Sequence, residues 1–262
     1  GNLESSKEEV EKHLKAAHSH ESNCTIQEPL TNLQEYDDPE TNFEDGPPSY
    51  RQFLTKLRKT RSKSAPGPNG VPYLVYKRCP GVSKQLWHYL SELWRRNIIS
   101  DTWREAEGVF IPKEEGAKTV DKFRTISLLN VEGKLFFSLK ADRITSFLMK
   151  NKFIDPSIQK GGIPGVSGCL EHTAILSQLI SEAKKEKRNL VVTWLDIANA
   201  YGSIPHNIIR IALKRAHVPE KTRSLIDSYY KNVKIRFTTR DFTTEWQRVE
   251  KGIITGCTLS VV

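Results

Sequence analysis

Sulfur is scarce in this sequence: 262 residues hold one methionine and four cysteines. Cys24, Cys79, Cys169 and Cys257 lie far apart and form no C-x-x-C pair. That excludes a small disulfide scaffold and points to a reduced, intracellular chain with buried thiols. Long apolar runs are also missing. No stretch of about 18 apolar residues occurs, so no segment reads as a membrane span. The opening residues, Gly1-Asn2-Leu3-Glu4, have neither the basic flank nor the apolar stretch of a signal peptide. They also lack Met, as expected of a chain that begins inside a longer reading frame. No internal repeat is visible.

Bases are rare at the start of the chain and acids are rare after it. Residues 1–50 hold twelve acids against Lys7, Lys12 and Lys15, a net charge of −9. Of 40 bases and 31 acids in all, residues 51–262 therefore keep 37 and 19, a net charge of +18. A basic body behind an acidic leader suits a polyanion binder, because every neutralised phosphate releases counterions. Charge alone fits equally a basic protein with no nucleic-acid partner. His13, His18, His20 and Cys24 crowd together, but their spacing matches no standard zinc pattern.

Residues 1–50 read as an acidic polar connector, with a helix over residues 6–17 and too few apolar residues for a core of its own. Helical spacing resumes at Tyr50, Phe53, Leu54 and Leu57 and ends in the basic run Arg58 to Lys63. Ala65-Pro66-Gly67-Pro68-Asn69-Gly70 is a turn. Ser83 is a candidate cap for a helix with Leu86, Leu90, Leu93 and Trp94 on one face. Val109-Phe110-Ile111 and residues 123–129 read as strands, and Leu135, Leu139, Phe147 and Leu148 mark a helix. Another helix turns Ile175, Leu176, Leu179, Ile180 and Ala183 inward. Leu190-Val191-Val192-Thr193-Trp194-Leu195 is nearly all apolar, as expected of a strand covered on both faces. Pro205 opens a helix, and Pro219 suits a first helical position. Val233, Ile235 and Phe237 alternate with polar residues, predicting a half-exposed strand that forms a hairpin with residues around Trp246 and Val249.

The sharpest chemical signal follows the apolar run, in Asp196-Ile197-Ala198-Asn199-Ala200-Tyr201. A strand that delivers a carboxylate at its C-terminal end suits phosphoryl transfer. Mg²⁺ takes one or two carboxylates and leaves its other positions to water and phosphate. The structural alternatives are an Asp that merely ends a strand and a core aromatic at Tyr201.

This segment resembles the first palm motif of reverse transcriptases, with Asp196, Ala200, Tyr201 and His206 in its places. Other segments follow in that family's order. Residues 64–72 resemble the "APGPDGIP" opening of non-LTR retrotransposon enzymes. Ile111-Pro112-Lys113 with Phe123-Arg124-Thr125-Ile126-Ser127-Leu128-Leu129 resembles their "IPK…FRPISLL" fingers hairpin, with Thr125 for the usual Pro. Gln159-Lys160-Gly161-Gly162 and residues 168–172 resemble a template-side segment. Lys251 to Ser260 resembles the second palm motif "GxxQGxxLSP", in the "GxxTGCTxS" form that some non-LTR lineages carry.

The resemblance implies an α+β fold: the fingers and first part of the palm of a right-hand polymerase, truncated before the paired-Asp hairpin and the thumb. It places the fingers in residues 51–150 and a partial palm in residues 151–262. It implies an RNA-directed DNA polymerase that uses Mg²⁺ (or Mn²⁺), an RNA template, a DNA primer and deoxynucleoside triphosphates. Asp196 and the Ile197 carbonyl would hold metal. Lys113 and Arg124 would hold the triphosphate, Tyr201 would exclude a 2′-hydroxyl, and Thr255 and Gly256 would line the nucleotide site. Two surface cations flanking a loop are the structural alternative for Lys113 and Arg124. This chain alone is expected to be inactive, and the competing reading is a non-catalytic RNA-binding remnant. A ribonucleoprotein in nucleus or cytoplasm is implied, while oligomeric state is not legible.

Overall fold

A computed structural model describes residues 3–19, 36–163, 165–166, 168–197 and 199–261. Helix α1 (Lys7–His18) starts at a reciprocal cap. The Ser6 hydroxyl accepts from Glu9 N, and the Glu9 carboxylate accepts from Ser6 N at 2.9 Å. The polar sequence leaves α1 only a narrow apolar stripe, yet Val10 and Leu14 on it are fully buried. They pack on surfaces built by much later segments.

Residues 36–48 run across the body of the protein. Thr41 exchanges hydrogen bonds with the Asn151 amide, Glu44 pairs with Arg143, and Asp45 pairs with Lys221 at 3.2 Å. The acidic leader thus covers part of the basic body's charge. Helix α2 (Tyr50–Lys59) repeats the reciprocal cap with Ser49 and Gln52. The turn that follows is clamped to the rest of the molecule. A Cβ on Gly67 would collide with the Leu129 and Asn130 backbone, and Asn69 N donates to the Asn130 side chain at 3.0 Å.

Helix α3 (Tyr73–Arg78) leads into α4 (Pro80–Arg96), which begins three residues before the expected cap. Pro80 takes the first helical position, where a missing N–H costs nothing. Ser83 is not a cap: it is buried inside the helix and donates to the Pro80 carbonyl at 3.0 Å.

Strand β1 (Glu105–Pro112) pairs antiparallel with β2 (Phe123–Leu128) and parallel with β3 (Lys234–Phe237). Strand β4 (Gln247–Arg248) completes the sheet in the order β2-β1-β3-β4. Gly108 makes the β1–β3 join possible, because the Phe237 ring lies where its Cβ would be. Phe237 then stacks on Phe110 with centroids 4.7 Å apart. Helix α5 (Val131–Lys150) is the spine of the core, burying Leu135, Phe136, Phe137, Ile144 and Phe147 against Trp94, Trp103 and Tyr229.

Helices α6 (Leu170–Lys185), α7 (Ala200–Ser203), α8 (His206–Arg215) and α9 (Glu220–Asn232) follow. Pro205 and Pro219 stand just before α8 and α9, so Pro219 caps its helix rather than opening it. The α+β class and the β3–β4 hairpin agree with the sequence.

Residues 190–195 do not form the expected strand. They take no assigned secondary structure and pair with no strand, with Val191 88% and Leu195 94% exposed. A strand needs neighbours for its N–H and C=O groups, and no described strand lies beside this one. The α6 face that should turn inward is likewise uncovered: Ile175 and Leu179 are exposed and only Ala183 is buried. Among the described cysteines, all free, Cys257 is buried as expected while Cys79 and Cys169 are exposed. No described helix is long and apolar enough to cross a membrane.

Candidate functional site

The β1–β2 hairpin presents the first two candidate side chains. Lys113 follows β1, and its ammonium donates to the Asp121 carbonyl at 2.6 Å. Arg124 lies on β2 opposite Ile111, exposed, and its side chain makes no hydrogen bond or ion pair among the described residues. Its guanidinium is available to an anion.

Residues 252–257 form the second side. Ile253 N donates to the Tyr201 carbonyl at 2.6 Å, and Gly252 N donates to the Ile204 carbonyl at 2.8 Å. The His206 ring meets the Gly252 carbonyl at 2.8 Å. Thr255 is stitched to β2, donating to the Thr125 carbonyl at 3.2 Å. Gly252 and Gly256 have φ of 87° and 89°, a region that favours glycine. A Cβ on Gly252 would come within 2.8 Å of the Tyr201 carbonyl oxygen, and one on Gly256 within 2.6 Å of the Ser127 carbonyl oxygen. Both glycines therefore let this loop close on the protein's own backbone.

Lys113, Arg124, Asp196, Tyr201 and Thr255 line one cavity of ≈ 850 Å³. That lies within the size range of small-molecule sites. Gly256 lines a neighbouring hollow of ≈ 370 Å³ with Tyr201 and Thr255. Ile197 is adjacent to Asp196 but exposed and outside the cavity lining. Asp196 is exposed at its edge. Two cations, a carboxylate, hydroxyls and an aromatic ring around one cavity suit a polyanion accompanied by a divalent cation.

A family model described as "Reverse transcriptase (RNA-dependent DNA polymerase)" matches residues 111–262. The chain belongs to the reverse transcriptase family. This reverse transcriptase chain is 29% identical over 201 residues to a Pol polyprotein from the type-1 retrotransposable element R2 of Nasonia vitripennis, covering 76% of this chain and 18% of that protein. It is 27% identical over 168 residues to the Pol polyprotein from the type-2 element R2DM of Drosophila melanogaster, covering 64% of this chain and 15% of the relative. A similar protein from Bradysia coprophila is 25% identical over 180 residues, 69% of this chain and 20% of its own. The chain thus spans about a fifth or less of these relatives, and they place it on the non-LTR side of the family.

One wall of the cavity was not foreseen. His13, Leu14, Ala16, Ala17 and His18 of α1 line it, with Asp121, Ser127 and Asn199. A helix was expected over residues 6–17, but no motif announces its place at the cavity, since its apolar stripe is only two buried residues wide. His20 and Cys24 of the candidate zinc cluster lie outside the described residues. Among the described residues no group of three or more His, Cys, Asp or Glu could hold a metal.

Proposed function

We propose that this chain carries the fingers (residues 51–150) and the first part of the palm (residues 151–262) of an RNA-directed DNA polymerase. In this reading the cavity between the β1–β2 hairpin and the 252–257 loop binds the incoming deoxynucleoside triphosphate. The supporting observation is convergence. Residues from four separated segments, chosen by motif, line a single cavity.

Lys113 and Arg124 neutralise the triphosphate, with the forked guanidinium of Arg124 suited to two phosphate oxygens. Tyr201 sets the floor under the sugar and leaves no room for a 2′-hydroxyl. Thr255 and Gly256 hold the loop that closes the nucleotide's other side. A bound Mg²⁺ (or Mn²⁺) supplies charge neutralisation to the triphosphate and the attacking primer hydroxyl. Asp196 fits as one ligand of that ion, with the Ile197 carbonyl as a second contact. The described residues do not make a complete two-metal site, which needs further carboxylates. RNA template and DNA primer are proposed as partners of the basic body.

Calorimetric titration of the chain with dATP and Mg²⁺ tests this reading. Saturable binding that Arg124→Ala weakens by about tenfold or more, and whose Mg²⁺ dependence Asp196→Asn reduces, is expected. The RNA-binding remnant is the competing reading. Under it, RNA binds with a steep salt dependence while dATP does not bind at all.

A further inference from the structure

We propose that α1 forms part of the nucleotide site, with His13 and His18 as direct contacts for the incoming deoxynucleoside triphosphate. The inference rests on the reading of the cavity given above and adds residues that no motif assigns.

The first support is how firmly α1 is held in place. Ahead of the helix, Glu4 N donates to the Lys118 carbonyl at 2.9 Å, and Val120 N donates to the Ser5 hydroxyl at 3.2 Å. Both partners lie in the loop of the β1–β2 hairpin that carries Lys113. At the far end, Glu250 N and Lys251 N both donate to the His18 carbonyl, at 3.0 and 3.2 Å. In between, the Glu11 carboxylate accepts from Glu245 N at 3.1 Å, and the Glu11 carbonyl accepts from Gln247 at 3.3 Å. With Val10 and Leu14 buried, α1 bridges the hairpin loop and the β3–β4 side of the sheet. A helix tied on both sides of a cavity is a wall of it.

The second support is where the two imidazoles stand. His13 and His18 both line the cavity that holds Lys113, Arg124, Asp196 and Tyr201. His13 shares this lining with Asp121, whose carbonyl holds the Lys113 ammonium at 2.6 Å. His18 is beside Lys251, at the end where Tyr201 meets the 252–257 loop. Its Nδ1 is buried with no hydrogen bond of good geometry. With α1 in place the cavity still measures ≈ 850 Å³, so the helix frames the site and does not plug it.

Burial holds the His18 imidazole below its usual pKa. The Lys251 backbone opposes this, and the His13 and Lys251 charges add to it. A neutral ring keeps both a donor and an acceptor for sugar or phosphate oxygens. Glutamine, which offers an amide donor and acceptor of similar reach, is the conservative replacement.

The test is the dATP affinity of the 262-residue chain with Mg²⁺, by calorimetry, with thermal melts on the same samples. The double variant His13→Ala/His18→Ala should weaken dATP binding by about tenfold at an unchanged melting midpoint. The matching Gln/Gln variant should recover most of that loss. If Arg124→Ala weakens binding while the Ala/Ala variant stays within about twofold of the parent, α1 is no part of the site and the cavity reading stands. If neither variant changes dATP binding, the cavity reading fails and takes the α1 proposal with it. Loss of affinity that follows a fall in melting midpoint, without recovery by Gln/Gln, makes α1 a structural support only and overturns direct contact.

Discussion

The side-chain amide of Asn69 donates to both carboxylate oxygens of Glu132, each at 3.1 Å. Tyr76 adds its hydroxyl to the same carboxylate, and burial with the Glu132 charge pushes Tyr73 up to about 12. This buried cluster locks the turn of residues 65–70 onto the start of α5. The related non-LTR motif carries Asp where Asn69 stands. Asn69→Asp here sets two carboxylates side by side and raises the folded-state pKa of the pair. The cost should be about 2 kcal/mol at pH 7.5. It should vanish as pH falls below the ordinary carboxylate range, because the penalty exists only where both groups ionise. Urea unfolding of parent and variant at pH 7.5 and at about pH 3, below the ordinary carboxylate range, measures both parts.

Lys140 is 1% exposed, with its ammonium 3.7 Å over the Trp94 ring and 3.9 Å from Asp45. Burial, opposed by Asp45, lowers its pKa to about 8 from 10.5. Between those values the unfolded chain binds the extra proton, so this group makes stability rise with pH. Cys257 acts oppositely at alkaline pH, since burial raises its pKa. The comparison with Lys140→Met isolates the lysine. The slope of unfolding free energy against pH between 8 and 9.5 should be less positive in the variant, by on the order of 1 kcal/mol per pH unit. Equal slopes would show that Lys140 titrates normally.

Gly256 has φ of 89° and sits against the Ser127 carbonyl. Gly256→Ala should destabilise the chain by roughly 2–4 kcal/mol. It should also weaken dATP binding, because Thr255 is displaced from β2. Chemical denaturation and calorimetry on one preparation read both effects. A fully stable Gly256→Ala variant would refute the close loop contact.

Tyr201→Ala should cut the preference for dATP over ATP by roughly tenfold. The affinity for dATP itself should change little by comparison. Competition between the two nucleotides on the same protein gives this ratio directly, and an unchanged ratio removes Tyr201 from the sugar site.

Much of the candidate site's lining was legible because its motifs are local. Lys113, Arg124, Asp196, Tyr201 and Thr255 each sit in a short motif, and the structure gathers all five around one cavity. What was not legible depends on distant partners. Residues 190–195 have a strand's composition, but pairing requires a neighbour that no local pattern supplies. The parallel join of β1 to β3 crosses more than a hundred residues and depends on Gly108 meeting Phe237. Helix α1 has the periodicity of a solvated helix, and the contacts that dock it come from Lys118 and residues 245–251. At α4 the expected start at Ser83 was wrong: the helix begins at Pro80, whose fixed φ suits the first helical position.

The uncovered segment makes a further prediction. Lys187 and Arg188 precede an exposed stretch that pairs with no described strand. Limited trypsin digestion of the 262-residue chain should cut there before it cuts in α5 or the sheet. First cleavage elsewhere would mean that residues 190–195 are covered in solution.

The most direct test of the central claim is photoaffinity labelling with 8-azido-dATP and Mg²⁺, mapped by mass spectrometry. The account predicts that adducts fall on peptides lining the cavity: residues 13–18, 121–127, 196–202 and 251–257. Unlabelled dATP should compete them away, and Arg124→Ala should reduce them. Labelling spread over the basic surface, insensitive to dATP and to Arg124, would contradict it.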